Sequence, residues 1–306
     1  MSQPQTTGPR PVPGAPGVPP PVPVVAVKPP AVLLIGPPGV GKTTSLATLA
    51  KAGLSLRVLF TDPGGEESLI DRFISLGLPL TNLHWAYVAP GTTDWKTLSG
   101  MAKQITSFGY QDLANLKNGV NKADYRQFYD MLNIMSNFKC ARTGKELGPV
   151  DSWGPDCAFV LDSASGLNIM AQDLTVGAKP TMHQGEWGIA MKAEQRVIQT
   201  MVSQCKCTVV LTAHVDKQRD ELTGKILIMP SFLGQKGVGS IVKDFSDVIL
   251  AEKEGDQFTW STANSSADLK CRNLPLKNKL PPDFGPIIDS WKKRVKAVAD
   301  SLDAAG

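Results

Sequence analysis

The chain has no C-x-x-C pair, and its five cysteines (Cys140, Cys157, Cys205, Cys207 and Cys271) are odd in number and scattered. This spacing supports neither a zinc site nor a disulfide framework. Cys205 and Cys207 read as packing residues where a helix runs into a buried strand. No apolar run approaches the roughly 20 residues of a membrane span, and the N-terminus lacks the apolar segment of a signal peptide, so the expectation is a cytoplasmic protein. No internal repeat is present. Charge of one sign is scarce too: 32 Lys and Arg against 28 Asp and Glu leave +4. Such a balance permits contact with a polyanion without demanding it. Aromatics are missing from residues 1–30, which are instead crowded with proline and glycine. That segment cannot bury enough surface to offset its ordering entropy, and it reads as a disordered, partly polyproline-II tail. Pro19-Pro20-Pro21-Val22-Pro23 could dock an aromatic groove on a partner, or act as a passive spacer.

What is present begins at Ala31. The run Ala31-Val32-Leu33-Leu34-Ile35 has the pattern of a fully buried strand. Gly36-Pro37-Pro38-Gly39-Val40-Gly41-Lys42-Thr43 follows at once, and Thr44 opens a helix that stops at Gly53. This is a complete G-x-x-x-x-G-K-T phosphate loop between a strand and a helix. Its glycines let backbone N–H groups converge on phosphates, Lys42 supplies charge, and the Thr43 hydroxyl is a ligand for Mg²⁺. The expected ligand is a nucleoside triphosphate, gripped by residues 36–44.

Strands then alternate with helices. Strands are expected at 56–61, 83–88, 158–161 and 208–212, a helix at 94–108, and a long loop over 163–185. A further helix is expected over 186–204, with Trp187, Met191, Val197, Ile198 and Met201 on its buried side. Tyr125, Phe128, Leu132 and Met135 recur at helical spacing inside an insertion at about 110–150. A hairpin is expected over 219–229, further strands at 246–251 and 258–261, and a final helix at 287–302. The alternation implies an α/β fold: a mainly parallel sheet, helices on both faces, and antiparallel strands at the C-terminal edge. The division is a tail over 1–30 and one ATPase domain over 31–306.

Asp162 ends the apolar run Ala158-Phe159-Val160-Leu161 and is placed to hold Mg²⁺ opposite Thr43. Hydrolysis needs a group to orient and deprotonate water. Asp62, Glu66 and Glu67 are candidates at the end of the second strand, and Glu66 is favoured. His214 follows the fifth strand, where a polar side chain could sense the γ-phosphate.

Together these elements resemble the RecA-type recombinase core, and within it the phage-encoded RecA-like ATPases associated with single-strand annealing. Thr212-Ala213-His214, the stretch Pro230 to Lys236, and Phe245-Ser246-Asp247-Val248-Ile249 carry the subgroup likeness. The resemblance implies a homo-oligomeric ring or filament with ATP at subunit junctions. It implies single-stranded DNA against loops near 163–185 and 216–240, where Lys179, Lys217, Arg219, Lys225 and Lys236 would meet phosphates. It also implies a basic residue donated in trans, for which Lys270-Cys271-Arg272 offers Arg272. The chain departs from the recombinase pattern in having Gly64 where that pattern has its glutamate. The rival readings are an AAA-type motor or loader, a small-molecule kinase, and a non-hydrolysing nucleotide-binding scaffold.

Overall fold

The computed structural model describes residues 27–88, 95–109, 111–112, 126–177, 182–219, 221 and 224–304. Among these, seven strands form one sheet in the order β3-β2-β4-β5-β1-β8-β9. They are β1 (Ala31–Ile35), β2 (Ser55–Phe60), β3 (Leu83–Tyr87), β4 (Cys157–Asp162), β5 (Thr208–Ala213), β8 (Asp247–Glu254) and β9 (Gln257–Ser261). All neighbours pair in parallel except β8 and β9. The remaining two strands, β6 (Val215–Arg219) and β7 (Ile226–Pro230), form a separate antiparallel hairpin.

Consecutive β1 residues serve opposite faces, as the pleat requires. Leu33 and Ile35 join one core with Phe159, Leu161, Val209 and Leu211, whereas Val32 and Leu34 join a second with Val58, Phe60, Val160 and Val210. Helices cover both cores, so the central strands read as continuous apolar runs. On the second face lie α1 (Lys42–Ser45), α2 (Ala47–Lys51), α3 (Gly65–Ser75) and, at the far end of the chain, Gly285–Asp303. On the first lie Gln127–Ser136, Ala164–Val176, Gln184–Gln204 and Gln235–Val242. With Trp95–Thr106 as α4, these are α5, α6, α7 and α8 in chain order, and Gly285–Asp303 is α9.

Four expectations need correction, the first being Trp187, which is exposed on α7 rather than on its buried side. The long loop over 163–185 contains α6: Leu167, Met170 and Ala171 are buried at helical spacing. The loop expected near 216–240 runs into α8, which begins at Gln235. The tail boundary at residue 30 is too late, because Val27–Pro30 are fastened to the domain. Lys28 Nζ donates to the carbonyls of Val202 and Ser203, Trp291 Nε1 donates to Val27 O at 3.1 Å, and Val209 N donates to Pro30 O at 2.9 Å. Residues 1–26, Tyr125 and most of 110–125 lie outside the described residues. Cys205 and Cys207 are buried thiols between α7 and β5, as expected of packing residues. Among the described residues no helix is long and apolar enough to cross a membrane.

Candidate functional site

Parallel strands gather their carboxyl ends on one edge, and the residues beyond β1, β2, β4 and β5 converge there. After Ile35 the chain turns through Gly39 (φ 75°) and Gly41 (φ 78°), both in the left-handed region that glycine enters without strain. The turn delivers Lys42 and Thr43 to the first turn of α1, whose early N–H groups have no intrahelical acceptor. A cleft of ≈ 320 Å³ results, lined by Pro38, Gly39, Gly41, Lys42, Thr43 and Thr44, and across it by Asp62, Ser68, Asp162, Ser163 and His214.

Its hydrogen bonds fall into two groups, one around Lys42 and one around the two carboxylates. Lys42 Nζ donates to Gly36 O at 2.7 Å and Pro37 O at 2.8 Å, and stands 3.4 Å from His214 Nδ1. Thr43 Oγ1 donates to Asp162 Oδ2 at 2.6 Å, while the Thr212 hydroxyl donates to Asp162 Oδ1. Ser163 Oγ donates to Asp62 Oδ2 at 2.6 Å. Thr61 Oγ1 joins the ends of β2 and β4, donating to Ser163 O at 2.9 Å and accepting from Ser163 N at 2.8 Å. The Asp162–Ser163 peptide is cis.

Burial dominates the electrostatics. It pulls the Lys42 ammonium down to about 8, while Asp162 and Asp62 act in the opposite direction. It pushes the Asp162 carboxyl up, opposed by the hydroxyls of Thr212 and Thr43. No group of three or more His, Cys, Asp and Glu side chains is placed to hold a metal among the described residues. The Thr43 hydroxyl and the Asp162 carboxylate are nonetheless hard oxygen donors already in contact. That set suits Mg²⁺, which takes one or two protein oxygens and completes its shell with phosphate and water.

The structure thus brings Lys42, Thr43, Asp162 and His214 together. It does not bring Glu66 to them. Glu66 lies in the first turn of α3, outside the cleft lining, with Oε2 buried and without a partner. Burial pushes the Tyr87 phenol up, and the Asp62 and Glu66 carboxylates add to that push. Glu67 is exposed, and the carboxylate that the β2 end presents to the cleft is Asp62. Two participants went unassigned in the sequence, Thr212 and Ser163. Each holds a carboxylate of the site, and the only signal was a polar residue closing an apolar strand.

Lys217 and Arg219 stand exposed on β6, and Lys225 just precedes β7. Lys179 and the side chain of Lys236 lie outside the described residues. Arg272 is exposed at the opposite end of β8 from the cleft, its backbone N–H donating to Asp247 Oδ1 at 2.9 Å. It therefore cannot serve the cleft of its own chain. Lys270 is spent on structure, since Nζ donates to Lys243 O at 3.0 Å and Phe245 O at 2.7 Å.

No protein-family model matches the chain, and no curated protein matches it. Among solved structures it is similar to a prototypical ATPase from the type III secretion system of pathogenic bacteria, at 14% identity and a TM-score of 0.33. The match covers 74% of this chain and 53% of that one, so the chain spans about half the length of its structural neighbour. A likeness this distant carries no weight for function, and the chemistry stands on the residues of the cleft.

Proposed function

We propose that this chain is a magnesium-dependent ATPase with a RecA-like core, acting on single-stranded DNA in recombination or annealing. The observation that carries the reading is the meeting of Lys42, Thr43, Asp62 and Asp162 in one polar cleft at the carboxyl ends of the sheet. The amides of the loop and of the first turn of α1 would take the phosphate oxygens, and Lys42 would exchange its loop carbonyls for the outer phosphates. Thr43 and Asp162 would hold Mg²⁺, which supplies charge neutralisation at the phosphates when bound. Asp62, oriented by the Ser163 hydroxyl, would position the attacking water and take its proton. This role moves from Glu66 to Asp62 because Asp62 is the carboxylate that lines the cleft.

The DNA reading is supported by the hairpin. β6 begins one residue after β5 ends, that residue is His214, and Lys217 and Arg219 project from the same strand. Lys179, Lys225 and Lys236 would add to the phosphate contacts. Assembly into a ring or filament would let a neighbour supply Arg272 to the triphosphate. Phosphate release from ATP, measured with and without a single-stranded oligonucleotide, tests the whole. Release stimulated by DNA and abolished in Lys42→Ala is the expected result. Release indifferent to DNA would remove the nucleic-acid part, and no turnover with magnesium-ATP would remove the enzyme.

A further inference from the structure

The cleft lining mixes polar and apolar groups, and of its two aromatic rings among the described residues His214 stands against Lys42 while Phe60 is buried beneath Gly65. It therefore serves phosphates but gives a nucleobase no flat apolar face. Such a face stands just outside. β8 runs beside β1 in register to Ile35↔Leu250 and then continues four residues further, to Glu254. The β8–β9 turn consequently rises next to the phosphate loop. Phe258 of β9 is 41% exposed. Its ring lies against Gly41: a Cβ at that glycine would stand 3.3–3.7 Å from three ring atoms. The cross-strand partner of Phe258 is Lys253, with Nζ 5.2 Å from the ring centroid. Lys279 pairs with Glu254 at 2.6 Å at the tip of the same hairpin.

We infer that Phe258 is the platform on which the base of the bound nucleotide stacks, the Lys253 ammonium that lies over the ring moving aside to admit it; this rests on the nucleotide reading above. A large, exposed aromatic on a paired strand costs little entropy to hold in place. It offers a π-face to any heteroaromatic base. The grip on the phosphates and the grip on the base are then separate structures, meeting at Gly41.

Titration calorimetry of the full chain with magnesium, using ATP and inorganic tripolyphosphate as probes, separates the two grips. The unmutated chain should bind ATP more tightly than tripolyphosphate. Phe258→Ala should weaken ATP about tenfold and leave tripolyphosphate unchanged to within about twofold, and Phe258→Trp should restore ATP. Lys42→Ala should lose both ligands. Equal losses of ATP and tripolyphosphate in Phe258→Ala would make the ring a prop of the loop and overturn the platform. So would unaltered ATP binding. If the unmutated chain holds the two probes equally, the platform falls while the phosphate grip stands; if it holds neither, both fall together.

Discussion

Raising the pH from 7 to 9 should switch off the charge that Lys42 brings to a triphosphate. The ammonium is buried at the end of the phosphate loop, and that burial outweighs Asp162 and Asp62, leaving its pKa at about 8. The charged form is thus complete below that value and lost above it. For a group titrating at about 8, the protonated fraction is about 0.9 at pH 7, about 0.5 at pH 8 and about 0.1 at pH 9. A bound triphosphate, bringing several negative charges to Nζ, raises the pKa and keeps the proton on. Binding must then take up about 0.1 proton at pH 7, about 0.5 at pH 8 and about 0.9 at pH 9, and apparent affinity should fall about tenfold across the range. The last phosphate proton leaves near pH 6, so the nucleotide contributes little to this window. Calorimetry in two buffers of unlike ionisation enthalpy reads the uptake directly. A flat, near-zero uptake from pH 7 to 9 would mean that Lys42 is not the group meeting the phosphates.

Asp62→Asn should leave ATP binding intact and slow hydrolysis by about 10²–10⁴-fold, the usual worth of a general base, while Glu66→Gln turns over near the normal rate. A slow Glu66→Gln with a normal Asp62→Asn would return the base to α3. Gly166→Ala should lower stability by about 1–3 kcal/mol in denaturant melts, because a Cβ there collides with the β-branched Thr61 side chain that ties β2 to β4. An unshifted midpoint would contradict that packing. Glu194, buried in α7, accepts the Leu233 N–H at 3.0 Å, and burial pushes its carboxyl up to about 7. Its neutral form is favoured by the fold, so its contribution is complete below the ordinary carboxylate value and lost as pH rises through about 7. The loss is on the order of 3 kcal/mol. Glu194→Gln should flatten this dependence in melts at pH 5 and 8, and an unchanged slope would assign it to other groups.

One wall of the cleft was legible because it is contiguous: eight successive residues, Gly36 to Thr43, carry the turn, the Lys42 ammonium and the Thr43 hydroxyl together. The meeting of Asp162 with Thr43 was legible because parallel strands gather their carboxyl ends on one edge, and Asp162 closes an apolar strand there. What escaped depends on direction rather than spacing. Glu66 and Asp62 are four residues apart, and only the path of the chain through Pro63-Gly64-Gly65 decides which one enters the cleft. Thr212 looks like any β-branched strand residue until the register sets it beside Leu34 and across from Asp162. The helix α6 was hidden by Gly166, Asn168 and Thr175, all weak helix formers. Gly166 is required by Thr61, and Asn168 is engaged with Ser231 O at 3.0 Å. Tertiary demands chose those residues against local propensity. The prolines near residue 30 read as tail, yet a proline retains its carbonyl, and Pro30 uses that carbonyl to start the pairing beside β5.

Only His214 separates β5 from β6, and Ser231 N closes the base of the hairpin by donating to its carbonyl at 2.9 Å. The hairpin is therefore mounted like a pointer, held at its base by the His214–Ser231 bond and along β7 by Ile228 N, which donates to Ser266 O at 2.6 Å. Extra residues spliced in at the tip, around Gly224, would lengthen the pointer and leave its bearing alone. The same splice on either side of His214 would introduce slack between sheet and pointer. Grafted sequences that need to ride on the state of the phosphate cleft belong at the tip, and that is where relatives of this chain would vary in length at least cost.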